Sequence, residues 1–198
     1  MIAGLVLASK SATRRAVLDG AGVIYDAVGS GVDEDAAKGE LLAKGASPRD
    51  VAAALAEKKA LAVSKGRSEL VIGADQTLEF EGRLYDKVET VADVRERLKA
   101  MRVRPHQLHS AVVVAQDDAV VWREIESATL AMRDFSDDFL EDYLAEEGEA
   151  ALGSVGCYRL EGRGVQLFSD IQGDYFTILG LPLIGLLDLL RREGVLRQ

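Results

Sequence analysis

The first part of the chain restricts the possible folds more than any other segment. The apolar run from Ile2 to Leu7 is typical of a buried strand, and the polar residues Ser9-Lys10-Ser11 follow it at once. A helix is predicted to start there, because Ser11 is a good N-cap and Gly22 provides a C-terminal stop. The chain therefore opens with a strand, a short polar loop and a helix.

Later segments alternate between helical and strand-like patterns. Helices are predicted after the caps Ser47, Thr90 and Ser136, the first of them running to about Lys65, and from Leu183 to about Glu193. Strands are predicted over Leu70 to Ile72, Leu78 to Phe80 with Leu84 and Tyr85, Leu108 to Ala115, and Ala119 to Ile125 with an extension from Ala128 to Met132. The acidic segment Val32 to Asp35 and the segment Gly148 to Gly164 are predicted as loops. This order predicts a mixed α/β fold, and 198 residues suit a single domain over residues 1–198.

The turn at the start of the first helix has the residue types of a phosphate site. A helix N-terminus offers unpaired N–H groups and a positive dipole end, so hydroxyl and basic side chains in that turn suit an anion. Ser9 and Arg14 are the candidates, because Arg14 lies on the apolar stripe of the helix, whereas Arg15 is placed to pair with Asp19. A plain N-cap with surface arginines is the alternative.

Glu34 and Asp75 are candidate ligands of a divalent metal ion. Hard cations that bind phosphates favour carboxylate oxygens and water as ligands. Asp75 follows an apolar run, so we expect it at or near a strand end, where a carboxylate is costly to desolvate without a partner. For Glu34 the alternative is a solvated acidic turn shared with Asp33 and Asp35.

Lys59 and Lys87 are candidate phosphate-binding side chains. Lys59 has apolar helical neighbours, among them Leu55 and Val63, which is unusual for a solvated lysine. Lys58 has similar helical neighbours, and the aliphatic part of a lysine side chain can cover apolar surface while its ammonium reaches water. The pattern alone does not choose between binding and solvation.

A thiol nucleophile is a competing chemistry. Cys157 could act with His106 or His109, but one Cys and two His occur in many chains without such a role. A free cysteine is usually a small buried hydrophobic residue. The phosphate chemistry is therefore favoured.

The charge balance excludes one broad class of partner. The chain has 33 acidic and 24 basic residues and a net charge of -9, which leaves no wide cationic surface for a nucleic acid polymer. A small polyanion is still compatible, since a few bases and a metal ion can bind phosphate. No stretch reaches the ~20 apolar residues of a membrane span, and the single Cys157 fits a reducing compartment. We therefore expect a cytoplasmic protein that binds neither membranes nor nucleic acid polymers.

Several motifs together resemble those of the Maf family of nucleotide pyrophosphatases. They are Leu7-Ala8-Ser9 with Ser11 and Arg14, Val32-Asp33-Glu34, Lys59-Ala60, Gly73-Ala74-Asp75-Gln76, Lys87, His106-Gln107 with Ser110, Gly156 with Tyr158, Glu161-Gly162, and Gly180-Leu181-Pro182-Leu183. The resemblance implies a mixed α/β fold with an elongated sheet, flanking helices and two lobes around a central cleft. It also implies hydrolysis of a nucleoside triphosphate to the monophosphate and pyrophosphate with a divalent cation, Mg²⁺ or alternatively Mn²⁺.

The resemblance also implies roles for individual residues. The implied catalytic residues are Asp75, Glu34 and Lys87, and the two carboxylates would serve the metal ion and the attacking water. The implied substrate-binding residues are Ser9, Arg14, Lys59, Gln76 and Glu161. Lys87 would also contact the phosphates.

Glu161 bears on the choice of base. It stands where the UTP and dTTP branch of the family has glutamine, and Thr13 stands where many members have arginine. A carboxylate can accept hydrogen bonds from guanine N1–H and the amino group, whereas an amide suits the mixed edge of a pyrimidine. The chain looks more like the 7-methyl-GTP branch, so we expect 7-methyl-GTP or another modified nucleotide as substrate.

A regulatory protein is the alternative function. The family name comes from septum formation, so a nucleotide-binding regulator of cell division with little turnover is the competing hypothesis. The resemblance also implies a homodimer. The helix predicted over Leu183 to Leu190 is apolar almost all round, which suits either core or a subunit interface.

Overall fold

The computed structural model describes residues 4–197 of the chain. Its strands are β1 (Leu5–Leu7), β2 (Asp26–Ala27), β3 (Leu70–Phe80), β4 (Arg83–Tyr85), β5 (Pro105–Gln116), β6 (Ala119–Met132) and β7 (Phe168–Gln172). Its α-helices are α1 (Ala12–Gly20), α2 (Glu34–Ala43), α3 (Pro48–Ser64), α4 (Val91–Met101), α5 (Asp137–Ala151), α6 (Tyr175–Ile178) and α7 (Leu183–Arg192). A 3-10 helix over Arg163–Leu167 leads into β7.

The strands form one mixed sheet in the order β2-β1-β3-β5-β6-β7, and β4 also pairs with β3. β1 runs parallel to both β2 and β3, with Leu5 opposite Leu70 and Leu7 opposite Ile72. β4 is antiparallel to β3, and β7 is antiparallel to β6. The mixed α/β class predicted from the sequence is confirmed. The elongated arrangement with two lobes around a cleft stays a prediction.

The chain divides into two compact units. The first contains the residues up to Gln76, the segment His109–Glu126 and the residues from Asp174 onward. The second contains Thr77–Leu108 and Ser127–Gly173. The single domain over residues 1–198 stays a prediction.

In the first unit, helices cover both faces of the sheet. Leu7 and Ile72 pack with Leu18 of α1 and Leu186 of α7 in one apolar cluster. Successive side chains of a strand point to opposite faces, so Val71 belongs to a different cluster, where Val63 of α3 packs against it. The residues of β3 therefore alternate between the α1/α7 side and the α3 side.

Gly73 allows α3 to approach β3 closely. A Cβ atom at this position would lie 2.2 Å from the carbonyl oxygen of Ala56 and 2.5 Å from the backbone nitrogen of Ala60. Side chains two residues apart on a strand share a face, so Asp75 lies on the same side as this contact. The close approach of α3 therefore brings Lys59, the residue before Ala60, toward Asp75.

In the second unit, α4 and α5 pack against each other. Val94 and Leu98 of α4 and Leu140 and Tyr143 of α5 are buried. Gly148 of α5 lies against Val91 at the start of α4, because a Cβ there would be 3.0 Å from a Val91 methyl group. The helix pair gives the second unit its own core.

The capping predictions are confirmed. The side chains of Ser11, Ser47, Thr90 and Ser136 each accept a hydrogen bond from a backbone N–H in the first turn of α1, α3, α4 and α5. The hairpin between β5 and β6 turns at Asp117-Asp118, as predicted. The predicted start of the first strand at Ile2 lies outside the described residues, and β1 begins at Leu5.

Two local predictions around the polar motifs are wrong. β3 continues unbroken from Leu70 to Phe80, so Asp75 lies inside a strand and not at a strand end. The segment Val32 to Asp35 is only partly a loop, because Asp33 caps α2 and Glu34 is its first residue. Acidic residues in a first turn are stabilised by the helix dipole, which favours this start over a solvated turn.

The predicted loop over Gly148 to Gly164 is also shorter than expected. α5 extends to Ala151, and the 3-10 helix begins at Arg163. Beyond it, β7 and α6 were not predicted at all. These two elements have five and four residues, too few to show a clear period in the sequence.

Candidate active site

The candidate site centres on a buried lysine between two carboxylates. Lys59 Nζ lies 2.7 Å from Asp75 Oδ1 and 2.8 Å from Glu34 Oε2. Lys59 and Asp75 are only 5% and 6% exposed, whereas the side chain of Glu34 is 47% exposed. The ammonium group therefore offsets the desolvation of Asp75 and links the start of α2 to α3 and β3.

Three elements of the first unit bring these side chains together. α3 carries Lys59, β3 carries Asp75, and α2 begins with Glu34. The start of α2 is fixed by Asp33, whose carboxylate accepts a hydrogen bond from Ala36 N at 3.0 Å. Each partner thus comes from a different element, and no short motif contains the whole group.

The surroundings of Asp75 alter its acidity. Burial raises the pKa of its carboxyl group above the ordinary value, while the positive charges of Lys59 and Arg14 oppose the shift and Glu34 adds to it. A higher pKa makes a carboxylate a stronger base, and the neighbouring cations favour its ionised form. The ionised form of Asp75 therefore depends on these two cations.

The loop between β1 and α1 places Arg14 beside Ser9. Ser9 is buried, and its Oγ accepts hydrogen bonds from Ser11 N at 3.2 Å and from Arg14 Nη1 at 3.4 Å. Arg14 Nε donates to the carbonyl oxygen of Gly180 at 2.8 Å. Arg14 is partly buried and Arg15 is exposed, as their helical spacing predicts. The first turn of α1 thus carries a guanidinium group held in a defined position.

The charge of Arg14 belongs to the same electrostatic group as the buried lysine. Burial lowers the pKa of its guanidinium, and the carboxylates of Asp75 and Glu34 oppose that change. Arginine nevertheless stays charged at neutral pH. The first unit therefore combines two cations and two anions beside a helix N-terminus.

Gln76 holds the backbone segment that ends at Gly180, the residue whose carbonyl oxygen accepts the bond from Arg14. Gln76 Nε2 donates to Ser110 Oγ at 2.9 Å and to the carbonyl oxygens of Thr177 and Ile178 at 3.1 and 3.0 Å. Ser110 Oγ in turn donates to the Thr177 carbonyl at 2.7 Å. These bonds hold the turn that follows α6, where Gly180 has a φ of +87° that glycine adopts without strain.

This supporting role was missed by the sequence analysis. Ser110 and Gly180 were noted only as parts of family motifs, and Thr177 was not singled out. The one available signal was the glycine that follows an apolar segment and precedes Leu181-Pro182. Such a glycine predicts a turn, but not that its carbonyl oxygen accepts a bond from Arg14.

The donor set fits a divalent ion that uses few protein ligands. Within residues 4–197 there is no group of three or more His, Cys, Asp or Glu side chains that could hold a metal ion. Mg²⁺ usually takes one or two carboxylates and completes its coordination with water and substrate phosphates. Glu34 and Asp75 both contact the Lys59 ammonium, and their role as metal ligands stays a prediction.

Lys87 and Glu161 belong to the second unit. Lys87 is exposed in the loop between β4 and α4, where Arg97 Nη1 donates to the carbonyl oxygen of Asp86 at 2.9 Å. Glu161 is exposed in the turn before the 3-10 helix, and Arg159 Nε donates to its Oε1 at 3.3 Å. The roles assigned to both residues stay predictions.

Cys157 lacks the environment of a nucleophile. It is buried, and burial raises the pKa of its thiol to about 11. The nearby His106 is hydrogen-bonded through Nε2 to Tyr158 Oη at 2.7 Å, and burial lowers the pKa of His106 to about 4. A thiol that stays protonated at neutral pH is a poor nucleophile. The geometry therefore favours a structural role for Cys157.

Comparison with known proteins adds independent information. A sequence model of Maf-like proteins matches residues 4–193. A nucleoside triphosphate pyrophosphatase of Caulobacter vibrioides is 58% identical over 192 residues, which cover 97% of this chain and 96% of that protein. A 7-methyl-GTP pyrophosphatase of Rhizobium meliloti is 48% identical over 193 residues, which cover 97% of each chain. A nucleoside triphosphate pyrophosphatase of Granulibacter bethesdensis is 48% identical over 193 residues, covering 97% and 98%.

Proposed function

This chain belongs to the family of Maf-like proteins, and we propose that it is a nucleoside triphosphate pyrophosphatase, a hydrolase that releases diphosphate. The resemblance found in its motifs is thereby confirmed. One observation carries the chemistry: the buried ammonium of Lys59 between Asp75 and Glu34 in a unit that also contains the Arg14 turn. Such a group supplies two cationic side chains and two carboxylates, which are residue types that phosphoryl transfer uses.

The proposed phosphate site uses the Arg14 side chain, which is held in position by hydrogen bonds to other residues of the protein. Arg14 uses Nε and Nη1 to bind Gly180 and Ser9, which leaves further N–H donors of the guanidinium for phosphate oxygens. The N-terminus of α1 adds the positive end of its dipole. Lys59 would donate an N–H of its ammonium to a phosphate oxygen.

Hydrolysis would proceed by attack of water on the α-phosphorus. Asp75 would accept the proton of the water, and pyrophosphate would leave from the opposite side. A divalent cation, Mg²⁺ or Mn²⁺, supplies neutralisation of the phosphoryl oxygens when bound. Asp75 and Glu34 would hold it, and Glu34 is exposed enough to turn toward an incoming ion.

The proposed substrate is 7-methyl-GTP or another modified nucleotide, and Glu161 would select the base. The relatives named 7-methyl-GTP pyrophosphatase support this proposal, as does an exposed carboxylate in the second unit. Lys87 would contact the phosphates from an exposed loop. The amide N–H groups of Gln76 are occupied, so its proposed contact with substrate would use Oε1 as an acceptor.

Pyrophosphate release from a panel of nucleoside triphosphates, with Mg²⁺ or Mn²⁺, tests the proposal. The panel would include 7-methyl-GTP, GTP, UTP and dTTP, each with wild type and the Asp75→Asn variant. We expect Asp75→Asn to lower kcat by about 10² to 10⁴-fold, as for removal of a general base. Asp118→Asn is the matched control, because Asp118 is exposed and in a hairpin turn that asparagine also tolerates. Undiminished release by Asp75→Asn would remove Asp75 from the mechanism.

The same panel distinguishes the regulatory alternative. Binding of nucleotides with no release of pyrophosphate from any of them would favour a regulator of cell division over an enzyme. The homodimer and the cytoplasmic location stay predictions, and sedimentation velocity would measure the former. None of the helices within residues 4–197 combines the length and apolar character needed to cross a membrane.

A further inference from the structure

In the second unit, Glu161 is the last of three charged side chains that contact one another in the order Glu147, Arg159 and Glu161. Arg159 Nε donates to Glu161 Oε1 at 3.3 Å, and Arg159 Nη1 lies 3.7 Å from Glu147 Oε2 on α5. The side chains of Glu147, Arg159 and Glu161 are 17%, 43% and 29% exposed, so Glu147 is the most buried of the three. Arg159 therefore separates two carboxylates and connects the loop carboxylate to a helix.

The backbone around Arg159 is closely packed on both sides. A Cβ atom at Gly164 would lie 2.5 Å from the carbonyl oxygen of Arg159, and one at Gly162 would lie 2.9 Å from Glu147 Oε1. The backbone nitrogen of Arg163 also donates to Glu147 Oε1, at 3.4 Å. Only glycine fits at position 164, whereas a Cβ atom at position 162 would displace the Glu147 carboxylate. The loop segment that carries Glu161 is thus fitted directly against the carboxylate of Glu147.

The residue before Arg159 anchors the same loop in the core. Tyr158 is buried, and its hydroxyl group lies 2.7 Å from His106 Nε2 on β5. Its ring also packs edge-on against Phe168 of β7, with ring centroids 4.8 Å apart. Gly156 makes room for this ring, since a Cβ there would be 2.4 Å from it. The backbone at Arg159 is therefore fixed in position, and this limits the positions that its guanidinium group can take beside Glu161.

We propose that Arg159, held by Glu147, is a positioning residue that sets the orientation of Glu161 and thereby the preference for a guanine base. The proposal rests on the proposed function, in which Glu161 receives the base. A single guanidinium nitrogen holds a single oxygen of Glu161, so lone pairs of the carboxylate stay available to two donors on the base. The positive charge also offsets the repulsion between Glu161 and Glu147, which would otherwise turn Glu161 away.

The two base types respond differently to such an orientation. Guanine presents N1–H and an amino group side by side, so it needs a carboxylate in a defined plane. A uracil edge presents one N–H between two carbonyl oxygens, and gains less from that carboxylate. Replacement of Arg159 should therefore weaken the binding of guanine nucleotides more than that of pyrimidine nucleotides. The effect should appear as a higher KM.

The first experiment measures kcat and KM for 7-methyl-GTP and UTP in wild type, Arg159→Gln and Arg159→Lys. For Arg159→Gln we expect the ratio of the two kcat/KM values to fall about two- to fivefold, the range of an exposed ion pair. Arg159→Lys keeps the charge and should recover part of the ratio. Arg163→Gln is the matched control, since Arg163 follows this loop as the first residue of the 3-10 helix and pairs with Glu146 on α5 at 2.5 Å. An equal fall in the control would overturn the proposal.

The second experiment repeats Arg159→Gln in the Glu161→Gln background. A residue that acts through Glu161 should no longer change the base ratio there. A ratio that still falls, or a Glu161→Gln variant with an unchanged ratio, would overturn the positioning role. Binding of 7-methyl-GMP and UMP gives the same cycle without turnover, measured by calorimetry on wild type, Arg159→Gln, Glu161→Gln and the double variant. Absence of pyrophosphate release thus counts against the proposed function, whereas an uncoupled binding cycle counts against Arg159 alone.

Discussion

Lys59→Met would remove one charge from the centre of the candidate site while keeping a flexible chain of similar length. The ammonium has two contacts, at 2.7 Å to Asp75 and 2.8 Å to Glu34. Glu34 is half exposed and can be rehydrated, but Asp75 is 6% exposed and cannot. Removing one partner of a buried pair costs about 3–5 kcal/mol, and with only one carboxylate left dry we expect about 3 kcal/mol at neutral pH. For a chain of this length that loss lowers Tm by about 6–12 °C.

The loss of stability in Lys59→Met should depend on pH, because it depends on the charge of Asp75. Burial already raises the pKa of Asp75, and loss of the Lys59 charge raises the pKa further. An acid with a raised pKa in the folded state favours folding at low pH, and this contribution is lost as the pH rises through the folded pKa. The destabilisation of Lys59→Met should therefore be smaller at pH 5 than at pH 7.5.

Urea unfolding at both pH values, in the presence of a chelator, measures the effect. Lys58→Met is the matched control, because Lys58 is the exposed neighbour on the same helix. We expect it to change the free energy of unfolding by less than about 0.5 kcal/mol. An equal loss for the two variants, or a Lys59→Met loss that is the same at pH 5 and pH 7.5, would refute the assignment of a buried charge pair.

Two further predictions concern stability. The pKa of His106 is lowered to about 4 from 6.5, so the unfolded chain binds a proton that the folded chain excludes. The free energy of unfolding should therefore fall by about 3 kcal/mol as the pH drops from 6.5 to 4. Urea titrations should show this loss in wild type and not in His106→Gln. Gly73→Ala would place a Cβ atom 2.2 Å from the Ala56 carbonyl oxygen, so we expect a loss of about 3 kcal/mol and a fall in pyrophosphate release as α3 is pushed from Asp75. Gly39→Ala is its control, since a Cβ there meets no described atom within 4 Å, and retention of full activity by Gly73→Ala would contradict the argument.

The sequence predicts those parts of the fold that depend on neighbours along the chain. The caps Ser11, Ser47 and Thr90 act on residues three positions away, so their patterns are visible without a structure. The inward position of Arg14 and the outward position of Arg15 follow from helical spacing in the same way. Local chemistry therefore predicts where helices begin and which side chains face inward.

The polar interior of β3 could not be predicted by such rules. Gly73 and Asp75 are typical of turns, and the sequence analysis ended the strand before them. In the structure Gly73 is a contact point for α3, and the cost of burying Asp75 is offset by Lys59, which lies in another element. A pairing between a helix and a strand has no local pattern, so the strand looks broken in the sequence.

The charges of the candidate site also indicate what it lacks. Arg14 and Lys59 carry two positive charges, and Glu34 and Asp75 carry two negative charges, so the group is neutral as it stands. A triphosphate brings several negative charges to this neutral group, in a chain with a net charge of -9. Attraction of the substrate therefore needs cations from elsewhere. In the proposed function, a divalent ion on Glu34 and Asp75 would supply them and would also release Lys59 toward the phosphates.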